Sequence, residues 1–456
     1  MSVFMKIVAI VVLIFNLCSS FIASMAQDNF TNSSSKTTDV FGNTWFLKKE
    51  NGRTSIEVRP FDTNNDNYFF NGKNGFPVGN WEIILSDNYG FVWLAGNNEL
   101  AYFDPRNTEK GWYVYEKEKI IELKKNTDGF VVATSKNGEK IKLFVNSKGN
   151  LVTQKLPVSR LNELRKWREL SSMPYCTHDI YGTVLNNKIY TAGGAAPHGL
   201  PAKMTNFDRL LIYDTQKDQW EYSSPMKINR RYCNVGALDN KIWVVGGYHK
   251  INNIEYPTKL VEIYDPLTQI WTEGPKMDIA CSESIIGVID GRLYVITSEG
   301  NDPESKIYSI AKGEKKWVLE SFLPYSIKQT NGCVLGDNLF LIIPKIGLVS
   351  FNVKLCEWNM RIPPFPSNQV PRAASVATYK QKVWVISGTD IDDTKAGWSY
   401  SPADKVWKKE TSFPKTVLWA DGCEVNGKLY VFGGAAFSNK QERYVFWNTI
   451  YVFQEK

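Results

Sequence analysis

Leu429-Tyr430-Val431-Phe432-Gly433-Gly434 decides the fold. It is an apolar strand that ends on a glycine pair, and it recurs along the chain. The other copies read Ile189–Gly194 (IYTAGG), Ile242–Gly247 (IWVVGG), Leu293–Ser298 (LYVITS), Leu339–Pro344 (LFLIIP) and Val383–Gly388 (VWVISG). Turns such as Leu238-Asp-Asn-Lys, Asp290-Gly-Arg and Val425-Asn-Gly-Lys precede them. Asn and Gly tolerate the positive φ of a tight hairpin, so each turn joins two strands. Another apolar run lies before each turn.

A second phrase comes after each copy. Tyr213 precedes Trp220 by seven residues, and the same seven separates Tyr264 from Trp271, Phe351 from Trp358 and Tyr400 from Trp407. Tyr308 to Trp317 is two residues longer. A proline closes each phrase: Pro225, Pro275, Pro324, Pro363 and Pro414. The tryptophans recur every 41 to 51 residues. Four antiparallel strands at that period make a blade of a β-propeller. Parallel sheets would need helical crossovers, and no helical pattern is present.

The last copy has no tryptophan strand after Phe453. A matching orphan lies upstream, Trp167 to Pro174, with the Trp-to-Pro spacing of Trp407 to Pro414. It is expected to complete the last blade and remove the exposed sheet edges. That predicts a ring of six blades over 158–456. The rival is a short amphipathic helix on Leu161, Leu164, Trp167 and Leu170.

Glycine pairs, hairpins and spaced tryptophans together resemble Kelch repeats, over roughly residues 166–456. The resemblance implies an all-β, six-bladed Kelch-type propeller of the galactose-oxidase/Kelch superfamily. Units one, two and six carry both glycines, and unit five has Ser387-Gly388. Units three and four depart, with Thr297-Ser298 and Ile343-Pro344.

Residues 43–157 are also β-rich, reading as two blades plus fragments. Asp87-Asn-Tyr-Gly90-Phe-Val-Trp93 resembles the D-x-x-G-x-x-W blade motif of two-component-regulator propellers. These strands form an accessory region on the ring or, in the alternative, complete a single eight-bladed propeller.

Lys6, the apolar run Ile7–Leu17 and Ser24-Met25-Ala26 predict a signal peptide over 1–26, hence a secreted or periplasmic protein. Residues 27–42 read as a disordered leader, with sequons at Asn29 and Asn32. No later segment is long and apolar enough to span a membrane. The net charge is +7 with no basic run, which argues against nucleic acid. Six cysteines come after the signal. Five open successive repeats, where Cys serves as a small core residue, and disulfides stay open. No C-x-x-C pair marks a zinc site, and no cofactor or metal is expected.

In an antiparallel blade, the loop that opens each unit and the loop after its glycines lie on one face. Loops on a rigid scaffold are where binding groups gather. That face is predicted to hold Arg230, Arg231, Arg372, His178, His198, Tyr248, His249, Asp302, Asp390 and Trp419. Arginine grips carboxylates with two parallel bonds, so an acidic protein or glycan ligand is expected. The expected function is a non-catalytic binding module. The alternative is a sugar enzyme similar to the sialic-acid mutarotases, with no catalytic residue assigned.

Overall fold

A computed structural model describes residues 35–454 except 51–52, 61–66, 72–74, 78, 97–98, 117–119, 127–128, 137, 156–166, 299–301, 390–393 and 440–441. The predicted signal peptide and both sequons lie outside the described residues. Within them the chain is all-β, with a single 3₁₀ turn at Thr108–Lys110.

Five successive four-stranded antiparallel sheets run from Tyr181–Leu185 to Val406–Glu410. A sixth is assembled from both ends of this region. The first strands are Tyr181–Leu185, Asn234–Leu238, Ile285–Ile289, Asn331–Leu335, Ser375–Tyr379 and Asp421–Val425. Each neighbours the next, and the last neighbours the first. The sheets therefore radiate from a closed cycle, which is a β-propeller.

The sixth sheet takes its outer strand from upstream. Trp167–Glu169 pairs antiparallel with Ile450–Phe453, with Trp167 opposite Phe453. Their rings lie 4.9 Å apart. Trp167 is thus a strand residue.

The aromatic–Trp spacing has a direct structural meaning. Tyr213, Tyr264, Phe351 and Tyr400 sit opposite Trp220, Trp271, Trp358 and Trp407 on the third and fourth strands. Their ring centroids are 4.9, 5.1, 5.0 and 5.2 Å apart. Such cross-strand aromatic pairs stabilise a sheet edge. Each indole N–H then reaches the preceding sheet. Trp220 donates to the Ser171 carbonyl (2.9 Å), Trp271 to Ser224 (2.8 Å), Trp358 to Phe322 (3.0 Å) and Trp407 to Pro363 (3.0 Å). Trp317 does the same to Pro275 at 2.8 Å, and Trp167 to Thr411 at 3.4 Å. One staple serves every junction, including the one that closes the ring.

The glycine pair sets the path of the chain beyond the second strand. Gly193 has φ +67°, and a Cβ there would strike the Arg230 carbonyl. In units one, two and six the chain turns sharply at the glycines and rises into a hairpin. These hairpins are Ala195–His198 with Lys203–Asn206, Tyr248–Ile251 with Ile254–Pro257, and Ala435–Ser438 with Arg443–Phe446. Thr297 and Ile343 are ordinary strand residues, so strands Arg292–Thr297 and Asn338–Ile343 run on to six residues.

The amino-terminal region forms three four-stranded meanders, over Lys36–Phe70, Trp81–Glu116 and Ile120–Lys155. Their first strands neighbour one another in sequence order. Two blades plus fragments is therefore corrected to three sheets. Composition predicts a disordered leader over 27–42; residues 27–34 lie outside the described residues, and the rest is corrected, because Lys36–Thr38 pairs with Thr44–Phe46. The reason is Asp39, which is fully buried. Its carboxylate accepts the backbone N–H of Phe41 and Asn43 (both 2.9 Å) and the Trp45 indole N–H (2.7 Å). Asp87 does the same for Tyr89, Phe91 and Trp93, at 2.9, 2.8 and 2.8 Å. The D-x-x-G-x-x-W motif thus occurs twice, as Asp39-Gly42-Trp45 and Asp87-Gly90-Trp93. Burial pushes both carboxyls up to about 6.

These sheets lean on the ring where it closes. Cys176 N–H donates to the Val40 carbonyl at 2.6 Å, and Ala202 N–H to Pro105 at 2.9 Å. Tyr89 meets Trp447 edge-on at 5.8 Å, inside a core shared with Val445 and Phe453.

Candidate functional site: the mouth of the ring

One residue at the head of each first strand adopts a left-handed conformation. These are Asp179, Tyr232, Glu283, Gln329, Ala373 and Trp419, with φ between +52° and +57°. None is glycine, so each costs about 1 kcal/mol of backbone strain. The arrangement around the axis offsets it. The Tyr232 N–H donates to the Asp179 carbonyl (3.1 Å) and Asp179 to Trp419 (3.2 Å). Trp419 donates to Ala373 (3.0 Å) and Ala373 to Gln329 (3.1 Å). A belt of backbone bonds so links five of the six sheets at one rim. Below it lies a central cavity of about 580 Å³, lined by the first strands. Asn234, Asn331 and Asp421 are among its lining residues. Burial pushes the Asp421 carboxyl up to about 7, and the Gly182 N–H bonds it at 2.8 Å.

A line of charge crosses the rim. Arg231 reaches Asp179 Oδ2 at 2.9 Å and grips Glu255 with two bonds, at 2.8 and 2.5 Å. Burial opposes its charge, yet the two carboxylates hold the guanidinium more firmly protonated than usual. The other Asp179 oxygen lies 2.9 Å from His178 Nδ1. His178 packs on Trp419 and Phe446, with centroids 5.9 and 5.0 Å away.

The opening loops and the post-glycine strands do meet on this face. His178 bridges Ala195, Arg231 bridges Tyr248, and Arg372 bridges Thr389. The side chains divide more sharply. Arg230 is a correction: it is fully buried, its Nη2 2.6 Å from Glu262 Oε2 and its Nη1 3.0 Å from the Gly246 carbonyl. It props the second glycine pair and meets no ligand. Neighbouring residues in extended chain point to opposite sides, so Arg230 turns inward and Arg231 outward. Arg231 itself is already forked onto Glu255. His198 packs between the Tyr175 and Phe207 rings. His249 Nδ1 pairs with the Asn229 carbonyl at 3.0 Å. Asp302 caps the Glu304 N–H at 3.1 Å. Arg372 is exposed. Asp390 lies outside the described residues.

Sequence reasoning missed Asp179, Glu255 and Glu283. A signal existed for the rim. Each of the six left-handed residues stands fourteen places before the first glycine position of its unit, namely Gly193, Gly246, Thr297, Ile343, Ser387 and Gly433.

The rim is lopsided. The hairpins of units six, one and two stand along one side and expose Phe437, Tyr444, Met204, Ile251, Ile254 and Tyr256. Asn206 ties two of them together by bonding Glu255 at 3.0 Å. Unit four instead turns directly from Ile343 to Gly347. Fold and rim define a β-propeller with a half-crown of apolar hairpins over a charged, amide-lined mouth.

Comparisons with known proteins agree with this class. The Kelch motif family matches residues 229–278. The chain is 24% identical over 262 residues to Kelch-like protein 25 of Xenopus tropicalis, covering 54% of this chain and 43% of that protein. It is 29% identical over 147 residues to Kelch repeat and BTB domain-containing protein 12 of Homo sapiens, covering 29% and 23%. The chain thus spans less than half the length of these curated relatives. The solved structure of YjhT superposes with a TM-score of 0.51 at 14% identity, covering 61% of this chain and 95% of that one. The chain thus carries a Kelch motif at residues 229–278 and is similar to Kelch-repeat proteins over part of its propeller.

Proposed function

We propose that this protein is a non-catalytic binding module that holds a protein segment against the half-crown of the mouth. The carrying observation is the set of exposed apolar side chains on three neighbouring hairpins, set beside a fixed polar rim. Apolar anchors with a polar surround are the usual anatomy of a protein-binding patch. Kelch repeats generally serve in protein binding, which supports the reading. The ring acts as six blades, with the three amino-terminal sheets as an accessory region. The predicted signal peptide supports export.

The test is selection of displayed peptides on the intact protein, followed by affinity measurement on variants. Ile251→Ser/Ile254→Ser and Phe437→Ser are expected to weaken the selected peptides at least tenfold with unchanged melting. Peptides that bind both variants like the wild type would move the site elsewhere.

A second reading rests on the His178–Asp179–Arg231 line, an acid–base pair beside a cation, as a sugar isomerase needs. Incubation with anomerically pure sialic acid, followed by NMR, tests it. Acceleration abolished by His178→Gln would support the isomerase, and a rate equal to buffer would remove it.

A further inference from the structure

A second concavity lies away from the mouth, where the amino-terminal sheets meet the ring. Its volume is about 190 Å³. Phe91, Tyr102 and Tyr113 line it on one side and the turn Asn146–Gly149 on another. Arg443, from the hairpin of unit six, forms a third side. Lys110 and Lys148 are exposed at its rim. Asp104 is the one carboxylate among the described lining residues.

That carboxylate is already shared. Arg106 Nε holds Asp104 Oδ1 at 2.6 Å, and Arg443 Nη1 stands 3.4 Å from Oδ2. Both guanidinium groups lie over the Phe91 ring, at 5.0 and 4.9 Å. Arg106 Nη2 is buried without a hydrogen-bond partner among the described residues. Burial and the neighbouring Arg106 cation push Arg443 down to about 10. Positive charge is therefore in excess around a half-enclosed, aromatic-walled space, and like charges held together invite an anion.

We propose that this cleft binds the carboxylate of a monosaccharide acid. Arg443 and the rim lysines take the carboxylate, while Asn107 and Ser147, which also line the cleft, pair with ring hydroxyls. Tyr113, half-buried in the wall, offers an apolar face. Drug-sized ligands fill roughly 300–1,000 Å³, so a space of this size suits one sugar ring. The site is independent of the mouth, and the peptide experiment above does not bear on it.

Titration calorimetry on the full chain tests it, with glucuronate as the probe and glucose, acetate and inorganic phosphate as comparators. Saturable glucuronate binding is expected, with none for glucose. Lys148→Glu, an exposed turn substitution, and Arg443→Gln are each expected to weaken it at least tenfold. The Lys148 variant keeps the test valid if Arg443→Gln fails to fold. Absence of glucuronate binding, or binding unchanged in Lys148→Glu, would overturn the site. Equal binding of phosphate or acetate would overturn the sugar assignment.

Discussion

The ring and the amino-terminal sheets use one building unit, the four-stranded antiparallel meander, and stabilise it differently. In the ring, every first strand has a neighbour on both sides and every fourth strand is stapled by an indole to the sheet before it. The amino-terminal sheets form an open run of three. The turns of the first two are fixed from within, by Asp39 and Asp87 under their own tryptophans, and outer support comes from Val40, Tyr89 and Pro105 against the ring. A closed cycle is stabilised by repetition, whereas an open run needs buried polar turns and a partner surface.

Trp167→Ala tests the closed side, and its effect is expected to reach the whole ring. It removes a buried indole, its packing on Phe413 and Phe453 and the last staple. Large aromatic-to-Ala changes in cores cost about 3–5 kcal/mol. Denaturant unfolding is expected to show the whole ring losing stability. A loss confined to the amino-terminal sheets would break the comparison.

Asp87→Ala tests the open side. It leaves two backbone N–H groups and one indole N–H without their acceptor, at about 1–3 kcal/mol each when buried. Hydrogen exchange should rise in Trp81–Glu116 while the ring stays protected. Equal loss in both regions would show that they unfold as one.

The same aspartates give the amino-terminal sheets a pH response of their own, as Asp421 gives the ring one. Asp39 and Asp87 are each raised from 3.8 to about 6 in the fold. The folded state therefore binds more protons between those values, and stability is lost as pH rises through 6. Each group contributes up to about 3 kcal/mol below pH 4 that is absent at pH 7. Amino-terminal protection is expected to be higher at pH 5 than at pH 7, and Asp39→Asn with Asp87→Asn should flatten the difference. An unchanged slope in that double variant would remove these groups as the cause.

Gly193→Ala is expected to cost more than the about 1–2 kcal/mol of its left-handed backbone alone, because the new Cβ would strike the Arg230 carbonyl, which the Gly194 N–H holds in place at 2.9 Å. Thr297→Gly, at the matching place in unit three, should alter stability by less than that. Melting temperatures compare the two, and a larger drop for Thr297→Gly would contradict the reading of the glycine pairs.

Much of the ring was legible because its signals are local and repeated: the turn asparagines, the glycines and the aromatic–Trp spacing of seven. The orphan Trp167 could be placed because its proline spacing matched Trp407. The first amino-terminal sheet was harder to see. Polar residues surround Asp39, so its motif hid in what composition marks as a leader. At the mouth, the sequence indicated which loops share a face. It did not indicate that Arg230 turns inward to Glu262 or that Arg231 is held by Asp179 and Glu255. Those partners come from different strands and units, and pairing across a ring leaves no mark in linear spacing. The mouth is therefore less basic than its arginines imply.

Closure of the ring by an upstream strand is the central claim, and amide hydrogen exchange reads it directly. The Leu170 N–H bonds the Ile450 carbonyl at 2.9 Å, and Trp167–Glu169 pairs with Tyr451–Phe453. Peptides covering Trp167–Leu170 are predicted to exchange as slowly as those covering Ile450–Phe453, and both should speed up together in Trp167→Ala. Fast exchange at Trp167–Leu170 in the native protein, beside a protected Ile450–Phe453, would contradict it.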